Sequence, residues 1–211
     1  MAVMTQKNAK NVIKEFLISL LSVLVISYIL FNFYTLYSVW NASKQLTQNA
    51  QQEYIRFTIY GSSSSGDGNT ISASFSIVDT NGNEIAKIER SWTGNYLAVE
   101  FAETSFGGND FVFPSAIYGR DRIMQTNLRA TKKTTLEKFY DDNGQCLLLG
   151  FGSTYQARSN LYTIARFANK KLPVFTFGRV STYTLDLSSC KINRYYSIQR
   201  IGNDKMIIVE L

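Results

Sequence analysis

Two glycines in the middle of the chain are the first residues whose spacing suggests chemistry. In Leu147-Leu148-Leu149-Gly150-Phe151-Gly152-Ser153-Thr154, Gly150 and Gly152 follow an apolar run. Phosphate-cradling loops use glycines there, so that backbone N–H groups can approach an anion at a helix N-terminus. Tyr155 stands where the third glycine belongs, and no Gly-Lys-Ser/Thr occurs. The stretch is therefore expected to be a strand end and an ordinary loop, with Cys146–Phe151 buried.

Carboxylates give three further groupings. Asp79, Asn81 and Asn83 have the alternate spacing of a calcium loop, but the glycine is misplaced and no terminal Glu follows in register. Asp141-Asp142, before Asn143-Gly144, reads as a solvated turn, and Glu100 with Glu103 lies too close in sequence to suggest a pair across a cleft. The chain contains no His, which removes the commonest general base and the commonest metal ligand. No catalytic, cofactor-binding or metal-ligating residue is assigned, and no cofactor is expected.

Cys146 and Cys190 are the two cysteines, too few for a metal site. The sequence leaves a disulfide and two buried thiols equally open. A bridge would stabilise by on the order of 4 kcal/mol in the chain-entropy model.

The remaining candidate is cationic. Arg120, Arg122, Arg129, Lys132 and Lys133 fall close together, with no aromatic residue between Tyr118 and Phe139. That pattern does not make a single-strand nucleic-acid platform, and no nucleic-acid partner is expected. A solvated basic face is the plainer reading, and an acidic partner or lipid headgroups are the functional alternative. The net charge of +6 is uneven: +2 up to Trp40, −4 from Asn41 to Asp110, and +8 from Phe111 to Leu211.

What positions these residues starts with Phe16–Trp40. The segment has no charged residue, Gly or Pro, and Asn32 is its only strongly polar side chain. As a helix it would reach roughly 37 Å, enough to cross a hydrocarbon core. Met1–Glu15 is a basic tail with Lys7, Lys10 and Lys14, against Lys44 and Glu53 just beyond the segment. The imbalance favours the tail in the cytoplasm and the rest outside a plasma or inner membrane. Tyr28, Tyr34, Tyr37 and Trp40 crowd the outer half like an interfacial belt. Bulky residues at Tyr37-Ser38-Val39-Trp40 argue against signal cleavage.

Asn41–Glu53, with Ala42, Leu46 and Ala50 at four-residue spacing, is expected to continue the helix as a short stalk. Tyr54–Leu211 then reads as one strand-rich domain. Tyr54–Tyr60, Ile71–Ile77, Glu84–Trp92 and Tyr96–Phe101 are expected to be four strands of one antiparallel meander, with Asn81-Gly82 as a hairpin turn. Gly61–Asn69 reads as a flexible loop or hairpin tip, and Phe111–Pro114 as an edge strand or packed loop because of Pro114. Ile123–Phe139 reads as a strand and turn or a frayed helix. Ser159–Lys170, with Ser159 as cap, is the expected single helix. Strands follow at Val174–Phe177 and Thr182–Leu187, and Arg194–Ile201 with Lys205–Leu211 forms a closing hairpin.

The fold class expected is thus membrane-anchored and mainly β (α+β): one transmembrane helix, then a mostly antiparallel β domain with one short helix. The function expected is non-enzymatic: an extracytoplasmic interaction or structural module of the cell envelope, meeting another envelope protein or a second copy of itself. A ligand-sensing domain acting through a second membrane protein, and a membrane-anchored enzyme, are the rival readings.

Overall fold

The computed structural model describes residues 2–46, 53–65, 68–121, 133–201 and 205–211. The chain divides into two compact units, Met1–Ser38 and Val39–Leu211. Helix α1 (Ala2–Lys44) supplies the first. Every side chain from Ile13 to Leu30 is exposed, most of them large and apolar. A helix apolar on all faces has no polar side to turn to water. The stretch Ile13–Lys44 is long and apolar enough to span a membrane. Ser22 and Asn32 turn their side chains back onto the carbonyls of Ile18 and Tyr28, which satisfies them within the helix.

The second unit is mainly β, as the alternation of its sequence implies. One sheet has the order β11-β10-β1-β2-β3, from β1 (Glu53–Ser65), β2 (Gly68–Val78), β3 (Glu84–Thr93), β10 (Tyr195–Ile201) and β11 (Lys205–Glu210). The other has the order β6-β5-β4-β9, from β4 (Tyr96–Phe106), β5 (Asn109–Arg120), β6 (Thr134–Thr135) and β9 (Val180–Asp186). Every pairing is antiparallel. A small ribbon, β7 (Asp141–Asp142) with β8 (Gln145–Cys146), turns on Asn143-Gly144, both in the left-handed region.

The first sheet puts Ile55, Phe57, Ala73, Phe75, Ile77, Ile88, Trp92, Tyr196 and Ile198 into the core and leaves serines and charged residues on the other face. Phe57 stacks on both Phe75 and Tyr196, and Phe75 meets Trp92 edge-on. Opposite lies β4, where Leu97, Val99 and Phe101 face the first sheet and Tyr54 meets Phe101 edge-on. Ala98, Ala102 and Phe106 occupy its other face, where Phe106 packs on Phe167 of α2 (Tyr155–Ala168). Since β4 is covered on both faces, seven of its eleven positions are apolar, and its polar residues gather towards the end at Glu103–Ser105.

The four-strand meander is corrected to three strands. Thr93-Gly94-Asn95 does not fold β4 back onto β3 but passes the chain to the other sheet. Gly94 sits at φ 137°, and Gly119 of β5 is pressed against the Thr93 carbonyl. The corner needs two backbones closer than any side chain would permit.

Other boundaries move for identifiable reasons. The expected loop Gly61–Asn69 is largely ladder, because β1 and β2 stay paired through Ser65↔Gly68. Pro114 does not end its strand: β5 runs on to Arg120, and Ser115 is skipped between Glu100↔Ala116 and Phe101↔Pro114. That bulge spares the missing N–H and frees the Ser115 carbonyl to accept from Leu136 N–H at 2.8 Å. Helix α2 starts earlier than Ser159, with the Thr154 hydroxyl accepting from Ala157 N–H, and its first turn is too polar to show a stripe. Leu147–Leu149 forms a 3-10 turn, not a strand. Val174–Phe177 is loop, and the strand begins at Val180. The stalk is shorter than expected: α1 ends at Lys44, and Val39, Ala42, Ser43 and Leu46 are buried in the domain. The remainder of the stalk falls outside the described residues up to Glu53, which opens β1. Most of Ile123–Phe139 lies outside them as well.

Candidate functional site

The strands bring three charged side chains, Glu103, Asp110 and Arg200, to one end of the space between the sheets. In antiparallel register, Glu103 of β4 stands opposite Val112 of β5 and Ser181 of β9, while Ser105 stands opposite Asp110. Alternation puts Glu103, Ser105, Asp110, Val112 and Ser181 on one face. Arg200 of β10 reaches them from the opposing sheet. The result is a groove of about 400 Å³, closed on its remaining side by Gly178 and Arg179.

Its interior is held by polar contacts. Arg200 donates to the Asp110 carbonyl at 3.3 Å and lies 4.0 Å from the Asp110 carboxylate. The Arg200 side chain is only 11% exposed, whereas that of Asp110 is 40% exposed, so solvent still screens the pair. The Ser105 hydroxyl donates to the second carboxylate oxygen of Asp110, and Ser181 donates to Glu103 at 3.2 Å. Beside Arg200, burial pushes the Tyr54 phenol above its usual range, although Arg200 opposes the shift by charge and hydrogen bonding. Arg179 crosses the end of β4 with its guanidinium 5.1 Å from the Phe106 ring centre. Thr104 is one step out of phase with Glu103, so its side chain lies on the Phe106 face. Its buried hydroxyl has no hydrogen-bond partner among the described residues.

Chemically, the groove offers fixed carboxylates and a guanidinium group facing one another, together with two hydroxyls. Such a site orients a polar partner through hydrogen bonds of both senses. Sequence reasoning missed it because its members come from β4, β5, β9 and β10, and no local spacing joins them.

The residues singled out from sequence lie elsewhere. Arg120 is turned inward, its side chain 12% exposed and 3.8 Å from Asp186, because β5 carries it beneath the β3–β4 corner. Lys133 pairs with Glu100 and covers the Tyr118 ring at 4.7 Å. Neither presents a bare cation. Arg122, Arg129 and Lys132 lie outside the described residues.

Cys146 and Cys190 are both free thiols. Cys146 is fully enclosed beside Tyr140, and burial pushes it up to about 12; burial likewise pushes Cys190 up to about 11. Both stay protonated at neutral pH and are poor nucleophiles.

Gly150 serves packing. At φ 77° it lies against the Asp79 carboxylate, where a Cβ would come within 2.5 Å. Asp79 in turn accepts from Asn81 N–H and Asn83 N–H, both at 2.8 Å, as an Asx turn does. Thr80 N–H donates to Leu148, fastening that turn to the Leu147–Leu149 segment. Asp141 and Asp142 are exposed, and Glu100 and Glu103 lie on different faces. Among the described residues no group of three or more Cys, Asp or Glu is placed to hold a metal ion.

Comparison of the chain with protein-family models, with curated proteins and with solved structures finds no match.

Proposed function

We propose that this chain is a single-pass membrane protein whose β domain stands outside the cytoplasm and works by binding, not catalysis, as a tethered module of the cell envelope. The observation that carries this reading is the direct passage of an exposed apolar helix into the folded domain. The last turn of α1 is built into that domain: Asn109 donates to the Ser43 carbonyl at 3.2 Å, and Asn160 donates to Gln45 at 2.9 Å. A tether of this kind keeps the domain beside neighbours in the same membrane. The partner is another envelope protein or a second copy of the chain.

Two measurements test it. Protease added to intact spheroplasts or cells is expected to digest the β domain and spare Met1–Glu15; a protected domain refutes the orientation. Ser181→Trp fills the groove from an exposed edge strand and is expected to release a partner that co-purifies with wild type in mild detergent. Unchanged recovery removes the groove from the contact.

A second reading, capture of a small polar ligand and relay through a second membrane protein, is favoured by the same groove. Its volume suits a small molecule better than a protein surface. Ligand reading predicts protection of Glu103 and Ser181 from hydrogen exchange without any protein partner.

A further inference from the structure

The outer strands of the two sheets differ in how they meet solvent. In the first sheet they are β3 and β11. β3 carries Glu84, Lys87, Glu89 and Arg90, with Lys87 and Glu89 paired at 2.6 Å, and β11 is bracketed by Lys205 and Glu210. In the second sheet β6 has two residues. Edge charges and short edge strands keep a sheet from pairing with another chain. β9 has neither device: it runs for seven residues, and Val180–Leu185 contains no charge and no Pro. Its one charged residue, Asp186, lies 3.8 Å from Arg120. Ser181, Thr182, Tyr183 and Thr184 are exposed, and no bulge in the register with β4 turns this edge away.

The ladder shows which backbone groups that edge presents. Leu187 N–H donates to the Leu97 carbonyl at 2.9 Å, one step beyond the pair Ala98↔Asp186. Bonded and non-bonded pairs alternate in an antiparallel ladder. Ser181, Tyr183 and Leu185 therefore bond to β4, while Val180, Thr182, Thr184 and Asp186 point N–H and C=O outward. Among the described residues no strand takes up that outward row. Such a row receives an extended backbone.

The strand that fits it end to end is β9 itself. About a two-fold axis at Tyr183, Val180 stands opposite Asp186 of the second copy, and Thr182 opposite Thr184. Every outward group then meets an outward group, whereas a slip of one residue would set outward against inward. Any other two-fold register shortens the overlap. No like charges face each other, and Thr–Thr and Tyr–Tyr cross-strand pairs favour the union. Seven residues a side fall well short of the roughly 20–30 of a standard interface, so the contact is weak between free molecules. Confining both copies to one membrane raises their local concentration and offsets that weakness.

We propose that two copies of the chain join edge to edge through β9, making one antiparallel sheet continuous across the pair. The proposal rests on the reading of the chain as a tethered binding module and names its partner as a second copy. Full-length protein carrying Cys190→Ser, which leaves the enclosed Cys146 as its one native thiol, is given Tyr183→Cys, Ser181→Cys or Leu185→Cys. Each variant is reconstituted in phosphatidylcholine vesicles. Flotation reads the tether, and copper-phenanthroline oxidation reads the edge. A non-bonded pair about 4.5 Å apart at Cα is within the disulfide range of about 4.4–6.8 Å. Two copies of residue 181, or of 185, would stand roughly 13 Å apart along the strand.

Tyr183→Cys is expected to give several-fold more disulfide dimer than Ser181→Cys or Leu185→Cys alone, and mixing the last two in the same vesicles is expected to raise their yield. Thr182→Lys with Thr184→Lys sets Lys opposite Lys without touching the β4 ladder. It is expected to bring the Tyr183→Cys yield down to the Ser181→Cys level at an unchanged melting temperature. Thr184→Pro removes one outward N–H and is expected to act likewise without added charge. For protein that floats, equal yields at all three sites show random collision and overturn the interface, as does the absence of dimer at every site. A Tyr183→Cys thiol shielded from maleimide in native membranes yet open in the reconstituted protein gives the edge to a different protein and overturns the second copy. A full yield from both edge variants, each melting like wild type, overturns edge pairing. Protein that does not float refutes the tether itself.

Discussion

Gly119→Ala puts the β3–β4 corner to a quantitative test. A methyl group on residue 119 would overlap the Thr93 carbonyl oxygen and stand 2.7 Å from its carbon. It would also lie 3.4 Å from the Gly94 nitrogen. All three are backbone atoms, so no side chain can swing aside. The corner is also pinned on both flanks, since Gly94 N–H donates to Asn69 at 2.7 Å and Asn95 N–H donates to Arg120 at 2.8 Å. Making room means moving the corner by about an ångström; overpacking of this sort costs roughly 1–3 kcal/mol, and loosening a backbone hydrogen bond adds about 1 kcal/mol. The sum is about 3 kcal/mol. Gly61→Ala is the matched control, because its Cβ would meet nothing within 4 Å. There the loss of unfolded-state freedom is expected to stabilise by about 0.5 kcal/mol. Urea unfolding of the full chain in mild detergent, followed by the fluorescence of buried Trp92, reads both. With a slope near 2 kcal/mol per molar, Gly119→Ala lowers the midpoint by about 1.5 M while Gly61→Ala raises it slightly. A Gly119→Ala midpoint within experimental error of wild type would refute the claim that close backbone approach carries the chain between sheets.

Two further substitutions probe the core and its edge. Phe75→Ala removes a fully buried ring stacked on Phe57 and met edge-on by Trp92, and is expected to cost about 3–5 kcal/mol in the same assay; a loss below about 1 kcal/mol would place that face outside the core. Burial opposes ionisation of Glu53, but hydrogen bonds from Arg56 and Ser197 outweigh it and hold the carboxyl below its ordinary range. A carboxyl lowered on folding stabilises above its unfolded pKa, and the gain disappears as pH falls through the folded value. Glu53→Gln is therefore expected to cost about 1 kcal/mol at pH 7, a figure reduced for the 43% exposure of Arg56, and to cost nothing in acid below the carboxylate range. A cost independent of pH would mean that the charge of Glu53 contributes nothing.

Local chemistry was enough for some features of this protein. An uncharged apolar run from Phe16 to Trp40 has no stable form in water except as a buried or lipid-embedded helix. Asn81-Gly82 and Asn143-Gly144 dictate tight turns wherever they fall, because Asn and Gly tolerate positive φ. The alternation of Ile71–Ile77 requires a half-buried strand, whatever that strand packs against. Partnership between distant segments was not readable in this way. Nothing around Thr93–Asn95 distinguishes a hairpin from a change of sheet; the distinction comes from Gly119, which lies in another strand and is small enough to be touched. Pro114 reads as a strand breaker until a bulge at Ser115 removes the need for its N–H. Arg120 reads as a surface cation until Asp186, far along the chain, arrives beside it. The groove is the extreme case, since Glu103, Asp110, Ser181 and Arg200 converge only when two sheets face each other. Helical and strand periodicity repeats over a few residues and leaves its mark in any short window. A site assembled across strands depends on register and sheet order, which are set by the packing of the whole core.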